Sequence, residues 1–499
     1  MYYIGLDVGT TRCKATIFDQ EGNPICRASR EYGYTSTVPG WAEQNPEEVW
    51  QAVQDVLFEV AQKGKVQPEA LAVSAQGEAV IFLDAEGRVL RPAILGMDMR
   101  AKRESEELGE RFGAESLLDM AGVPVHPLTS AAKILWVRKN EPEVFTKSTR
   151  IFCYEDFILW KLGRCAAIDY SMASKTLLFN RHTKQWVQEI LEYIGLSPSQ
   201  LATPFPSGQV VGTICRDVAV SLGLPESLKL VTGGHDQCCA ALGAGSTTQD
   251  IAFDNAGTAE VFGVPVDDGS LVLRMQPQTF SCYNHVLPEK FLLATLNQTA
   301  GLFLRWYRDT LGQHLVARYP SRDPYEVLIE RASPEPSRIL ALPHLVGSGT
   351  PWIDSSSKAA FVGITLSTTE GEVIRAILES VVFEQKLNVE LFEAQGVTFR
   401  EIRVTGGCSR SPLWLQIRAD IFGKPVVTLA CEDASVLGAA ILAACGSGGY
   451  ASPEDAVKSM VRVRNVWEPD RNRHEVYKER FSIYRDLYGA LRAINHRIR

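Results

Sequence analysis

Gly233-Gly234-His235-Asp236-Gln237 stands near the midpoint of the 499 residues, and the rest of the chain is arranged around it. Leu230-Val231 ahead of it reads as the end of an apolar strand. Two glycines then permit a tight turn and close backbone approach. Behind it, Cys238-Cys239-Ala240-Ala241-Leu242-Gly243-Ala244-Gly245 is small and apolar, as a buried helix requires. A carboxylate held at a strand-to-helix turn can act as general base on a hydroxyl. Asp is equally a favoured helix N-cap. The turn by itself therefore leaves Asp236 two readings, base and cap.

Toward the N-terminus, residues 2–31 read as three strands joined by two turns. The first turn, Asp7-Val8-Gly9-Thr10-Thr11, puts an Asp, a Gly and two Thr at one tip. Backbone N–H groups and hydroxyls there could hold a phosphate, and Asp7 could hold Mg²⁺ through water; a plain hairpin uses the same residue types. Asn45-Pro46-Glu47-Glu48 opens a helix, with Asn45 as N-cap and Val49, Val53, Val56, Leu57 and Val60 at helical spacing. One strand, Leu71 to Ser74, ends in Gln76 and Glu78. Another, Pro92 to Leu95, ends in Asp98 and Arg100. Loops beyond strand ends are where α/β proteins place ligands, so these four are candidates for substrate contact, with surface ion pairs as the alternative. Ile168 to Ser171 and Lys175 to Asn180 read as extended segments.

Toward the C-terminus the first hairpin is echoed. Ile251 to Asp254 is a strand, Asn255-Ala256-Gly257-Thr258 a tip and Ala259 to Val264 a returning strand. Asp7-x-Gly-Thr and Asn255-x-Gly-Thr are about 250 residues apart in the numbering, which suggests a duplicated domain with paired phosphate loops facing a cleft. A long helix is expected from Thr369 to Ala394. Strand Ile402-Arg403-Val404 then delivers Gly406-Gly407, whose backbone can lie flat against a nucleotide. Glu432-Asp433-Ala434-Ser435 starts a small-residue helix, Val436 to Cys445.

Composition narrows the function classes. Hydrophobic content of 45%, charged content of 22% and a net charge of −8 describe a globular chain with no basic stripe for nucleic acid. Eleven cysteines lack metal or disulfide spacing, which fits free thiols in a reducing compartment. A strand begins at Tyr2, so no signal peptide is expected, and Val436 to Cys445 is too short to span a bilayer. The expected location is the cytoplasm, without membrane or nucleic-acid partner. Neither Gly-x4-Gly-Lys-Ser/Thr nor Gly-x-Gly-x-x-Gly after a strand occurs.

Together these stretches resemble the FGGY family of carbohydrate kinases, over nearly the whole chain. Tyr3-Ile4-Gly5-Leu6-Asp7-Val8-Gly9-Thr10-Thr11 is similar to the family's first phosphate loop, and Leu90-Arg91-Pro92-Ala93-Ile94-Leu95 with Asp98 and Arg100 to a sugar-site strand. Lys133-Ile134-Leu135-Trp136-Val137-Arg138-Lys139-Asn140 resembles one family signature; Gly363-Ile364 with Glu372 to Glu379 fits the other. The resemblance implies an α/β fold of two ribonuclease H-like domains, of the actin/hexokinase ATPase type, flanking a catalytic cleft. Residues 1–247 would carry the sugar site and the base, and residues 248–499 the nucleotide site.

It also implies roles. Asp236 would be the base that deprotonates a sugar or polyol hydroxyl as it attacks the γ-phosphate of ATP. Gln76, Glu78, Asp98, Arg100 and Gln237 would bind the acceptor. Gly9, Thr10, Thr11, Gly257 and Thr258 would hold phosphates, Gly406 and Gly407 would lie against adenosine, and Asp7 with Asp236 would position Mg²⁺. A homodimer is a further expectation. Xylulokinases carry Gln-Met-His-Gly where this chain has Gln76-Gly77-Glu78-Ala79, and Trp-Asn-Asp-Gly-Arg where it has Gly96-Met97-Asp98-Met99-Arg100. The acceptor therefore stays open among ketopentose, sugar acid and small polyol. A catalytically silent sensor of the same fold, or an ATPase of the actin or chaperone type, are the competing classes.

Overall fold

Strand follows strand at the N-terminus because short, largely buried runs are separated by polar turns. In the computed structural model, which describes residues 1–498, β1 (Tyr2–Val8), β2 (Arg12–Asp19) and β3 (Pro24–Glu31) form an antiparallel meander. β4 (Ala70–Ala75) then lies parallel to β1, and β6 (Lys229–His235) parallel to β4; β5 (Val210–Thr213) closes the far edge antiparallel to β6. The sheet order is β5-β6-β4-β1-β2-β3. Every residue of β4 is buried, as a central parallel strand covered on both faces should be. β3 is an edge strand, and it opens on a proline and exposes charge, both of which discourage pairing with a further strand.

The second half repeats the plan. β7 (Ile251–Ala256) and β8 (Glu260–Val266) form an antiparallel hairpin, extended outward by β10 (Phe291–Ala294) and β9 (Ser281–Asn284). β11 (Glu401–Thr405) and β12 (Val426–Leu429) run parallel to β7, and β13 (Val463–Trp467) closes the other edge antiparallel. Each sheet is thus a meander followed by two parallel strands and an antiparallel edge, so the expectation of a duplicated architecture from two Gly-Thr tips agrees with the topology. The first sheet draws on residues between 2 and 235, the second on residues between 251 and 467.

The helices follow from local chemistry. α1 (Pro46–Gly64) starts where Asn45 accepts from the Glu47 N–H and packs its Val49, Val53, Val56, Leu57 and Val60 face under β2 and β3. The short α2 (Tyr170–Lys175) corrects a sequence reading. Residues 170–175 are helical because the Asp169 carboxylate accepts from the N–H groups of Ser171 and Met172 and so nucleates a turn. α3 (Asp236–Gly243) follows β6 directly. α4 (Glu370–Ala394) carries a full capping box, Thr369 with Glu372. α5 (Pro412–Phe422), α6 (Ala434–Gly446) and α7 (Arg471–Asn495) complete the second half.

α3 and α6 cross where glycine lets their backbones touch. A Cβ on Gly243 would stand 1.9 Å from the Ala434 carbonyl oxygen, and one on Gly438 1.9 Å from that of Cys239. α6 belongs to the second half in sequence but lies on the first sheet. Its Ala439, Ala440 and Ala443 share one core with Tyr3, Ala70, Ala72 and Val231.

Candidate active site

β6 and α3 deliver the turn that opened the sequence reading. Gly233 must lack a side chain, since a Cβ would overlap the Val73 carbonyl oxygen at 2.0 Å. His235 holds the N-cap position without a side-chain cap bond, and Asp236 is the first helical residue. Asp236 is therefore not the N-cap. Its carboxylate faces a cavity of about 370 Å³ built from both halves of the chain.

The first half contributes Thr10, Gln76, Glu78, Lys175, His235 and Gln237 to that wall; the second contributes Tyr283, Thr295, Gln298, Thr350 and Ile353. Burial, followed by the charges of Asp7 and Glu78, pushes the Asp236 carboxyl up to about 7. His235 is pulled down to about 3 by burial and by Lys175, so it is neutral. Its Nδ1 is hydrogen-bonded with the Tyr283 hydroxyl at 3.0 Å, and its Nε2 lies 3.3 Å from Asp236 Oδ1. Tyr283 comes from β9 in the second half, so the histidine beside Asp236 is held from across the halves.

Glu78 sits beside it in the left-handed region at φ 60°, an unusual conformation for a residue with a side chain. Burial opposes its charge, but Lys175 at 2.7 Å overcomes that and holds the carboxyl below its ordinary value. Gln76 accepts from Thr10 Oγ1 at 3.2 Å. Gln237 lines the cavity and accepts from Asn255 Nδ2 at 3.1 Å, which joins the Asp236 turn to the end of β7.

The structure corrects the expectation for Asp98 and Arg100. Both side chains are fully buried and paired to each other at 2.8 Å. Asp98 also accepts from the Ala42 N–H at 2.6 Å, and Arg100 lies 3.8 Å over the Trp41 ring. A buried carboxylate needs such partners, and they draw it away from the cavity. Gly96 and Met97 line the wall there instead. The pair ties the loop at residues 40–42 to the loop at residues 96–100.

The tip of the first hairpin is arranged as follows. Gly9 spends its N–H on the Arg12 carbonyl at 3.0 Å, and Gln44 Nε2 donates to the Thr10 carbonyl at 2.7 Å. Thr10 lines the cavity and Thr11 is exposed. Asp7, just behind, accepts from Ser74 Oγ at 2.7 Å, and burial raises its carboxyl.

A second cavity, about 550 Å³, belongs to the second half alone. Gly257 and Thr258 of the β7–β8 tip, Gly301, Tyr325, Gly407 and Trp414 are in its wall. Gly406 stands directly before Gly407 at φ 80° and ψ −172°, a region essentially confined to glycine. Beneath this cavity Arg418 of α5 is wholly buried between Asp254 of β7 at 2.9 Å and Glu260 of β8 at 2.6 Å. Burial drives the Asp254 carboxyl well above its usual range against the pull of Arg418, with Glu260 adding to the rise. The hairpin tip is thereby fastened to the helix that follows Gly406-Gly407.

Sequence reasoning missed Lys175, His235, Tyr283, Gly301, Thr350 and Ile353. Lys175 was reachable: Asp169 followed two residues later by Ser171 is a capping signal, and a helix from there ends on Lys175. The remaining five depend on contacts between distant segments.

Residues 2–243 match the FGGY family of carbohydrate kinases, N-terminal domain, and residues 255–447 match its C-terminal domain. The chain is 29% identical to a xylulose kinase of Bacillus subtilis, covering 99% of this chain and 98% of that protein. It is 28% identical to a gluconokinase of Bacillus licheniformis, covering 98% and 96%. The crystal structure of ligand-bound xylulose kinase from Lactobacillus acidophilus superposes with a TM-score of 0.90 at 26% identity, over 99% of this chain and 98% of that one.

Proposed function

The chain belongs to the FGGY family of carbohydrate kinases, phosphotransferases that move a phosphoryl group from ATP to an alcohol group, and from that premise we propose how it does so and on what class of acceptor. The acceptor site is the 370 Å³ cavity, and a small sugar of ketopentose type is the proposed substrate. The observation that carries the reading is Asp236, a carboxylate without a lysine or arginine partner, held at about 7 at the edge of a cavity shared by both halves. A general base is most effective when its pKa lies near the working pH. The first half of the chain, residues 1–247, would supply the sugar site and base, and residues 248–499 the nucleotide site. Free thiols at all eleven cysteines among the described residues accord with a cytoplasmic home.

The nucleotide fits the second cavity, whose glycine wall at Gly257, Gly301 and Gly407 lets a flat base and a phosphate approach the backbone. Mg²⁺ fits Asp7 and Asp236 as the protein's share of its ligands. Among the described residues no cluster of three His, Cys, Asp or Glu side chains exists, and Mg²⁺ is commonly held by one or two carboxylates plus water and phosphate oxygens. When bound, ATP supplies the γ-phosphoryl group and the metal neutralises its charge.

The chain's own residues do the rest. Asp236 takes the proton from the attacking hydroxyl, with His235, itself hydrogen-bonded with Tyr283, packed beside it. Gln76, Glu78 and Gln237 hold neighbouring hydroxyls. Thr10 reaches from one half and Thr258 from the other. Phosphoryl transfer depends chiefly on such positioning. Initial rates of ADP release with Mg-ATP across a panel of ketoses, polyols and sugar acids test the reading; turnover that no sugar stimulates would refute it.

The two threonines separate the cavities experimentally. Thr258→Val is expected to weaken binding of a non-hydrolysable ATP analogue about tenfold, the loss of one hydrogen bond to a charged group, and to leave sugar binding unchanged. Thr10→Val should weaken both ligands, since Thr10 lines the sugar cavity and donates to Gln76. Calorimetric titration of each ligand decides; equal losses in Thr258→Val would point to a folding defect.

A further inference from the structure

We infer that Lys175 selects the acceptor: with Glu78 it forms a donor–acceptor pair that grips hydroxyls of an uncharged sugar and leaves no free cation for a sugar acid. This rests on the kinase reading of the cavity and deepens it.

Glu78 Oε1 and Lys175 Nζ are 2.7 Å apart, their side chains keep 18% and 15% exposure, and both residues line the cavity. An ammonium only donates and a carboxylate only accepts. A hydroxyl lodged against both is satisfied on both counts, and a neighbouring hydroxyl can use the second carboxylate oxygen. Three features hold the pair in place. The Glu78 carbonyl accepts from Lys133 Nζ at 3.0 Å and Ser130 Oγ at 3.3 Å, which secures its left-handed backbone. The Lys175 ammonium lies 4.9 Å over the Tyr283 ring. Residue 77 is glycine, and a Cβ there would stand 2.7 Å from His235 Cδ2 and 3.7 Å from Lys175 Cε. Any side chain at that position would crowd the groups that close this corner.

Charge then decides between acceptor classes. Among the described residues Lys175 is the only Lys or Arg in the cavity wall, and it is already paired. A substrate carboxylate would meet Glu78 and Asp236 with no unengaged cation to answer it. Removing the Glu78 charge reverses that balance.

The test measures kcat/KM for ketopentoses, polyols and aldonates, with Mg-ATP, in wild type, Lys175→Met, Lys175→Arg and Glu78→Gln. Wild type should prefer an uncharged sugar. Lys175→Met should lower its kcat/KM about 10–100-fold with KM for ATP held, and Lys175→Arg should recover part of the loss. Glu78→Gln, which frees the ammonium, should raise the aldonate-to-sugar ratio by about tenfold or more. A wild-type preference for aldonates, or a ratio unmoved in Glu78→Gln, overturns the assignment. Thermal melts show which variants fold, and if Lys175→Met does not, the Glu78→Gln ratio alone decides. Wild-type turnover with an unmoved ratio removes only Lys175; absence of turnover on every compound removes the acceptor reading as well.

Discussion

Asp236→Asn is expected to lower kcat by about 10²–10⁴-fold, the usual worth of a general base, with sugar and nucleotide binding largely retained. Asparagine keeps the shape of the side chain but loses the charge, and with it the ability to take a proton and a carboxylate ligand for Mg²⁺. The same assignment fixes the pH profile of the wild type. A base held at about 7 is protonated below that pH, so kcat/KM should fall roughly tenfold per unit as pH drops beneath it. Stability runs the opposite way. The folded carboxyl binds its proton more tightly than the unfolded one, so Asp236 destabilises the fold progressively as pH rises from about 4 to about 7, and fully above that. Asp236→Asn should therefore be at least as stable as wild type at pH 8. A folded Asn variant with near-wild-type kcat would remove Asp236 from the mechanism, and an unstable one would deny the burial argument.

The second large effect is structural. Arg418→Met should destabilise the fold by about 3–5 kcal/mol, the range seen when one partner of a buried ionic group is removed. Arg418 is wholly buried and bridges Asp254 and Glu260, which without it face each other in a low-dielectric interior. The Asp254 carboxyl, already raised by burial, would lose the pull of Arg418 and hold its proton still more tightly folded than unfolded, so the deficit should grow as pH rises. Urea-denaturation midpoints of variant and wild type at two pH values measure it. Partial rescue by adding Asp254→Asn would confirm the pairing; a deficit under about 1 kcal/mol, the scale of a surface ion pair, would contradict it.

Much of this architecture was readable because the informative signals are local. Asn45-Pro46 and Thr369 with Glu372 fix helix starts through caps made within three residues. The paired Gly-Thr tips announced a repeated sheet because a hairpin needs only its own turn and strands. Gln76 and Glu78 were found at a strand end and do line the cavity. Asp98 and Arg100 were found by the same rule and do not. What separates them is the Trp41 ring and the Ala42 N–H, contributed from more than fifty residues away and invisible to any periodicity. Lys175 was misplaced because small and polar residues at 170–175 have weak preference of their own, and one carboxylate at Asp169 settles the conformation. Tyr283 had no signal at all: an aromatic in an apolar strand reads as core until the other half of the protein supplies His235.

The position of α6 has a consequence for synthesis. A ribosome releases the strands of the first sheet early, with Tyr3, Ala70, Ala72 and Val231 bare on one face until the helix that covers them arrives. That helix ends at Gly446, so nearly nine-tenths of the chain must be translated before the half carrying Asp236 can close. Cut between the sheets, a fragment carrying only the first sheet would lack the helix that completes its core.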